Sequence, residues 1–183
     1  MAQPGSMPKG PAARVGDPVA HPLPPVLTGG VGSMNVLIGG KPAWRGIPAG
    51  AAAALQSAKD AADTAIETAK ADTAAASGTP RVAVAKAKEE ATKLSSAAAM
   101  TATISAAAAA SAAAGGGVVD IHTCNTLPPP APPPIHGLGV VTDGSATVLI
   151  NGLPACRVGD TVLEAFGPAN KIAMGQPTVI IGP

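Results

Sequence analysis

The sequence predicts a mainly β protein, a small prism of short β-hairpins with quasi-threefold symmetry, interrupted by an Ala-rich α-helical hairpin. Three observations lead there. Hairpin-like segments recur in the outer parts of the chain, Ala dominates the residues between them, and aromatic side chains are nearly absent. The 183 residues include one Trp, one Phe and no Tyr. Aromatic rings normally supply much of a core's buried area, so small packed repeats must replace an aromatic-rich core. The 22 Gly and 20 Pro lean toward low complexity, but Val/Ile/Leu runs at regular places argue against disorder.

The repeat is read first, because it fixes the architecture. Gly32-Ser33-Met34-Asn35-Val36-Leu37-Ile38-Gly39-Gly40-Lys41-Pro42-Ala43-Trp44-Arg45 aligns with Gly144-Ser145-Ala146-Thr147-Val148-Leu149-Ile150-Asn151-Gly152-Leu153-Pro154-Ala155-Cys156-Arg157. Gly175-Gln176-Pro177-Thr178-Val179-Ile180-Ile181-Gly182 is a shorter copy. Pro11-Ala12-Ala13-Arg14-Val15-Gly16-Asp17 matches Pro154-Ala155-Cys156-Arg157-Val158-Gly159-Asp160. Each unit reads as strand, tight turn, strand. Asn151-Gly152 suits a type I′ turn, which needs φ > 0 at both positions, and Gly39-Gly40 serves the same geometry. Short hairpins cannot bury a face alone, so three or more pack around a common axis. The three apolar runs are expected on three sides of the prism with their faces inward.

Residues 1–49 and 116–183 form the two halves of this β region, and residues 50–115 form the insertion. Ala is the best helix former. A first helix is expected over about 51–76, with Leu55, Ala62 and Ala69 at heptad spacing. Ser77-Gly78-Thr79-Pro80 breaks it, and a second helix follows over about 81–114. A short loop between two such helices makes an antiparallel pair, and Gly115-Gly116-Gly117 ends it. Residues 95–114 carry no charge over about a membrane-spanning length. They consist largely of Ala, Ser and Thr, which gain little in lipid, so a soluble hairpin is the preferred reading.

Twelve basic and eleven acidic residues give a net charge of +1. No basic stripe with interleaved aromatics is present, so nucleic-acid binding has no electrostatic footprint. Met1 to Pro11 lacks an apolar signal-peptide region. Cys124 and Cys156 are read as a ligand and a small packed residue rather than as a disulfide.

Pro11-Ala12-Ala13-Arg14, with its one-residue variants Pro42-Ala43-Trp44-Arg45 and Pro154-Ala155-Cys156-Arg157, resembles the signature of PAAR-repeat proteins, across about two-thirds of the chain. The resemblance implies a small cone of β-hairpins whose base caps the trimeric, VgrG-type spike of a type VI secretion system or related contractile particle. It implies a zinc ion near the apex and extensions that serve effector transport, and the three hairpin-like units in a single chain predict one chain per trimer. The chain would be made in the bacterial cytoplasm and leave the cell as part of the spike. It would touch membranes only during injection.

The chain has three histidines, His21, His122 and His136. Cys124 follows His122 by two residues, and on a strand both point to one face. His21, His122, Cys124 and His136 make a closed tetrahedral zinc set with a structural role, and the family pattern of three His and one Cys agrees. Cys156 is the rival sulfur. Glu164 falls where some members place a late ligand, but a carboxylate there is expected to be solvated. Asp17 and Asp160 sit at equivalent repeat positions and are read as turn supports rather than as an acid–base pair. A zinc hydrolase needs an open metal position and a general base, and neither is visible, so no enzymatic activity is expected. The remaining alternatives act through the helical insertion, as an adaptor that binds an effector or chaperone or as a membrane-active effector.

Overall fold

The computed structural model describes residues 9–21, 26–113, 117–125 and 135–182. Gly115 and Gly116, and the Pro-rich runs at 22–25 and 128–134, lie outside the described residues. In chain order the elements are β1 (Gly10–Ala12), β2 (Leu37–Ile38), β3 (Lys41–Pro42), α1 (Ala49–Ala75), α2 (Val82–Ser111), β4 (His122–Cys124), β5 (Gly137–Val141), β6 (Leu149–Ile150), β7 (Leu153–Pro154), β8 (Thr161–Glu164), β9 (Asn170–Lys171) and β10 (Gln176–Ile181).

The repeat units fold as antiparallel hairpins. β2 pairs with β3 with Leu37 opposite Pro42, and β6 pairs with β7 with Leu149 opposite Pro154. Asn151, Gly152, Gly39 and Gly40 all have positive φ, as the two turns require. The third unit is assembled from opposite ends of the repeat region: β1 pairs with β10, with Pro11 opposite Ile180. Each unit gives one Ala, one Ile and one Val to a common cluster: Ala12, Ala43 and Ala155; Ile38, Ile150 and Ile181; Val36, Val148 and Val179. Above it the chains close a backbone ring. Ala13 N–H donates to Cys156 O at 2.9 Å, Cys156 N–H to Trp44 O at 3.1 Å, and Trp44 N–H to Ala13 O at 2.9 Å.

The structure corrects the expectation that each apolar run packs wholly inward. Ile38, Ile150 and Ile181 are each 7% exposed, but Leu37, Leu149 and Ile180 are 61%, 58% and 58% exposed. Side chains alternate along a strand, so two neighbours in a run cannot share one face.

The expected α-helical pair forms, and it makes the fold mixed rather than mainly β. Helices of 27 and 30 residues outweigh strands of two to six, because the Ala-rich run favours helix throughout its length whereas the hairpins stop at their turns. The helices are about 40 and 45 Å long. They do not stand apart from the β region. Leu55, Met100, Ile104 and Ala108 share one buried cluster with Ile47, Val119, Val140, Leu153, Leu163 and Ala165. From Ala71 to Lys93, by contrast, no residue is buried. α2 is long and apolar enough to cross a membrane by length and composition, yet the part nearest Ser111 is the part seated in that cluster.

Candidate metal centre

The centre is built by the same repeat that builds the ring. Arg14 and Arg157 each bond an aspartate three residues on. The Arg14 amide donates to Asp17 Oδ2 and the Arg157 amide to Asp160 Oδ2, both at 2.8 Å, and each guanidinium closes on the same carboxylate. The two aspartates thus support turns, as expected. Arg45 finds its equivalent in Asp120, 75 residues later: its amide and Nε both donate to Asp120 Oδ2 at 2.9 Å. The helical insertion therefore splits one repeat between its arginine and its aspartate. Four residues after each aspartate stand His21, Cys124 and Glu164, so each of the three units delivers one donor to the same place.

A four-stranded sheet, in the order β4-β5-β8-β9, holds the rest. His122 lies opposite Gly139, and Gly139 lies opposite Glu164. A Cβ on Gly139 would stand 3.0 Å from Glu164 Cγ, so the glycine lets two side chains from outer strands meet across the middle one. His136 precedes β5. Gly167 packs on its ring, where an added Cβ would lie 2.8 Å from Nε2.

His21, Cys124, His136 and Glu164 bring one donor atom each within 4.8 Å of one another. Cys124 Sγ is 3.6 Å from His21 Nε2, and His21 Nε2 is 3.2 Å from both Glu164 oxygens. A tetrahedral zinc site has S···N edges of about 3.5 Å and N···O edges of about 3.3 Å, given its bond lengths. His136 Nδ1 lies 2.6 Å from Glu164 Oε2, a hydrogen-bond distance. His122 Nε2 is 3.4 Å from Glu164 Oε1. His122 is fully buried, and neither of its ring nitrogens has a hydrogen-bond partner; the same holds for His21 Nδ1. Buried polar atoms are normally satisfied, so these orphans fit a site whose bonding is completed by an ion.

Three of the four predicted ligands thus converge with Glu164, and the fourth, His122, adjoins it. The solvated reading of Glu164 is corrected: the residue is fully buried at the hub of three imidazoles. Burial would raise its carboxyl, but the facing imidazoles of His122, His136 and His21 outweigh that and hold it at about 2. The signal for Glu164 was in the sequence, since Asp160 and Glu164 have the spacing of Asp17 and His21. Asn170 was missed. Its Nδ2 donates to Glu164 Oε2 at 2.8 Å and lies 2.9 Å from His21 Nε2, and nothing in the repeat announces it. Cys156 is elsewhere. It sits in the apolar cluster around Trp44, where burial pushes its thiol well up, and it is not joined to Cys124.

Three hairpin units closed into a ring, with one donor from each meeting at a buried cluster, define a repeat-built β-cap able to hold a metal ion. Residues 131–183 match the family model of the PAAR motif, which supports the resemblance to PAAR-repeat proteins read from the sequence. The motif is associated with spike-tip proteins of contractile injection systems. No curated protein and no solved structure shows significant similarity to the chain.

Proposed function

We propose that this chain is the metal-stabilised tip of a contractile injection spike, with one chain capping one trimeric, VgrG-type spike protein. The observation that carries the reading is the closed ring through Ala13, Trp44 and Cys156. A single chain that repeats three times about one ring matches a true threefold partner. Leu37, Leu149 and Ile180 extend that match, because each unit turns one exposed apolar side chain outward at the same register. Isolated exposed residues are ordinary, but a repeated set fits an interface.

Zinc is held by His21, Cys124, His136 and Glu164, with His122 beside Glu164. The thiolate and carboxylate cancel the ion's two charges in a site whose side chains are nearly closed to solvent. All positions are filled by protein, so the ion is structural. The role is mechanical, not enzymatic. The helical hairpin is the place for an effector or its chaperone. A membrane-active role is disfavoured, because inserting α2 would withdraw Met100 and Ile104 from the buried cluster.

Native mass spectrometry of the chain with a trimeric spike protein tests the assignment. One chain per trimer is expected. A Leu37→Asp, Leu149→Asp, Ile180→Asp variant should fold, retain zinc and lose the complex. A 3:3 complex, or a cap that trimerises alone, overturns the reading.

A further inference from the structure

The sheet β4-β5-β8-β9 has the donor cluster on one face and the helical hairpin on the other. Along β8, Glu164 enters the donor cluster, while Leu163 and the next residue, Ala165, enter the apolar cluster with Leu55, Met100 and Ile104. Along β5, Val140 joins that same cluster and Leu138 packs against it, whereas Gly139 lies between His122 and Glu164. Along β4, Cys124 faces the donors, while Thr123 lines a groove with Leu94, Ala97 and Thr101 of α2. Period-two alternation thus puts metal donors and helix-seating residues on opposite sides of the same backbone. A second link runs through Gly167. It packs on the His136 ring, and with Phe166 and Pro168 it borders a cavity walled by Ile66 and Lys70 of α1.

A close-packed sheet of four short strands cannot move on one face alone. We infer that metal occupancy and the seating of the helical hairpin are energetically coupled, so that the donor cluster latches the hairpin to the cap. This rests on the metal reading above. Loss of the ion frees Glu164 and His136, and through β8 and the 166–168 loop it loosens the helices. Coupling is reciprocal, so unseating the helices weakens hold on the ion. The exposed distal arm, residues 71–93, follows whatever the seated part does.

The test uses the full chain loaded with zinc. Hydrogen exchange followed by mass spectrometry compares it with chelator-treated protein, and zinc transfer to a colorimetric chelator is timed. Metal removal should raise exchange in residues 97–111. Ile104→Ala should speed zinc transfer roughly tenfold, and the milder Ile104→Val should do so in the same direction. Ile150→Ala, in the hairpin cluster away from the sheet, should leave the transfer rate near that of the parent. The coupling is overturned if the parent binds zinc but residues 97–111 exchange equally with and without it. It is equally overturned if both Ile104 variants release zinc at the parental rate. A chain that takes up no zinc removes the metal reading, and the coupling with it.

Discussion

Arg45 bonds Asp120 across 75 residues of sequence in the same way that Arg14 bonds Asp17 and Arg157 bonds Asp160 across three. Asp120 is fully buried, and it also accepts the Gly32 amide at 2.9 Å. Asp120→Ala strands a buried guanidinium and two buried amides. It should destabilise the chain by about 3–5 kcal/mol, the usual cost of breaking a buried pair. Asp17→Ala should cost less, because the Arg14 side chain is 14% exposed and solvent can reach it. Denaturant unfolding of both variants, with zinc present, checks the order.

Zinc content distinguishes the two cysteines and the central carboxylate. Cys124→Ser and Glu164→Gln should each lower affinity, the latter even though glutamine keeps the shape, because the amide lacks the carboxylate's charge. Cys156→Ala should leave zinc unchanged, since Cys156 lies in the apolar cluster with Trp44. Equal zinc loss in the Cys156 and Cys124 variants would overturn the assignment.

Asp160 predicts a pH dependence. Burial pushes its carboxyl up to about 6 against the pull of Arg157, while the unfolded value is 3.8. The folded chain then binds this proton more tightly than the unfolded chain. At this position stability rises as pH falls from about 6 toward 4. Asp160→Asn cannot gain in this way, so the stability difference between parent and variant should shift toward the parent between pH 7 and pH 5. The opposite shift in paired thermal melts would mean that the Arg157 pair outweighs burial.

The helical arm should be divisible. Replacing residues 71–93 with a short turn removes no buried side chain, and soluble, zinc-binding protein is expected. Replacing residues 50–114 exposes Val140, Leu153 and Leu163, and aggregation or loss of zinc is expected. Circular dichroism and metal analysis of the two deletions decide the matter.

The hairpins, their turns and the convergence of the candidate donors His21, Cys124 and His136 were legible because each depends on local chemistry. Positive φ at Asn151-Gly152, Ala propensity and the spacing of the Pro-Ala-x-Arg segments are all written within a few residues. What stayed hidden depends on contacts across the chain. Asp120 carries no mark of being Arg45's partner until the insertion is mentally removed. Glu164 looks like a surface carboxylate until three imidazoles surround it. The outward turn of Leu149 was readable from strand alternation, but the continuous apolar run masked it. The union of helices and sheet in one cluster follows from tertiary packing that heptad spacing cannot specify.

The hairpin formed by β1 and β10 has no turn of its own, since its strands lie more than 160 residues apart. At 5–20 residues per second, roughly ten to thirty seconds of synthesis separate the two. Helices need only local contacts and form early, so the Ala-rich arm is complete while Pro11 and Ala12 still await their partners. His21 waits in the same way for Glu164. Pairing of β1 with β10 then comes after both the arm and the residues of the Ala13–Trp44–Cys156 ring have been made. A nascent chain stalled before Val179 would carry a finished arm on an open cap.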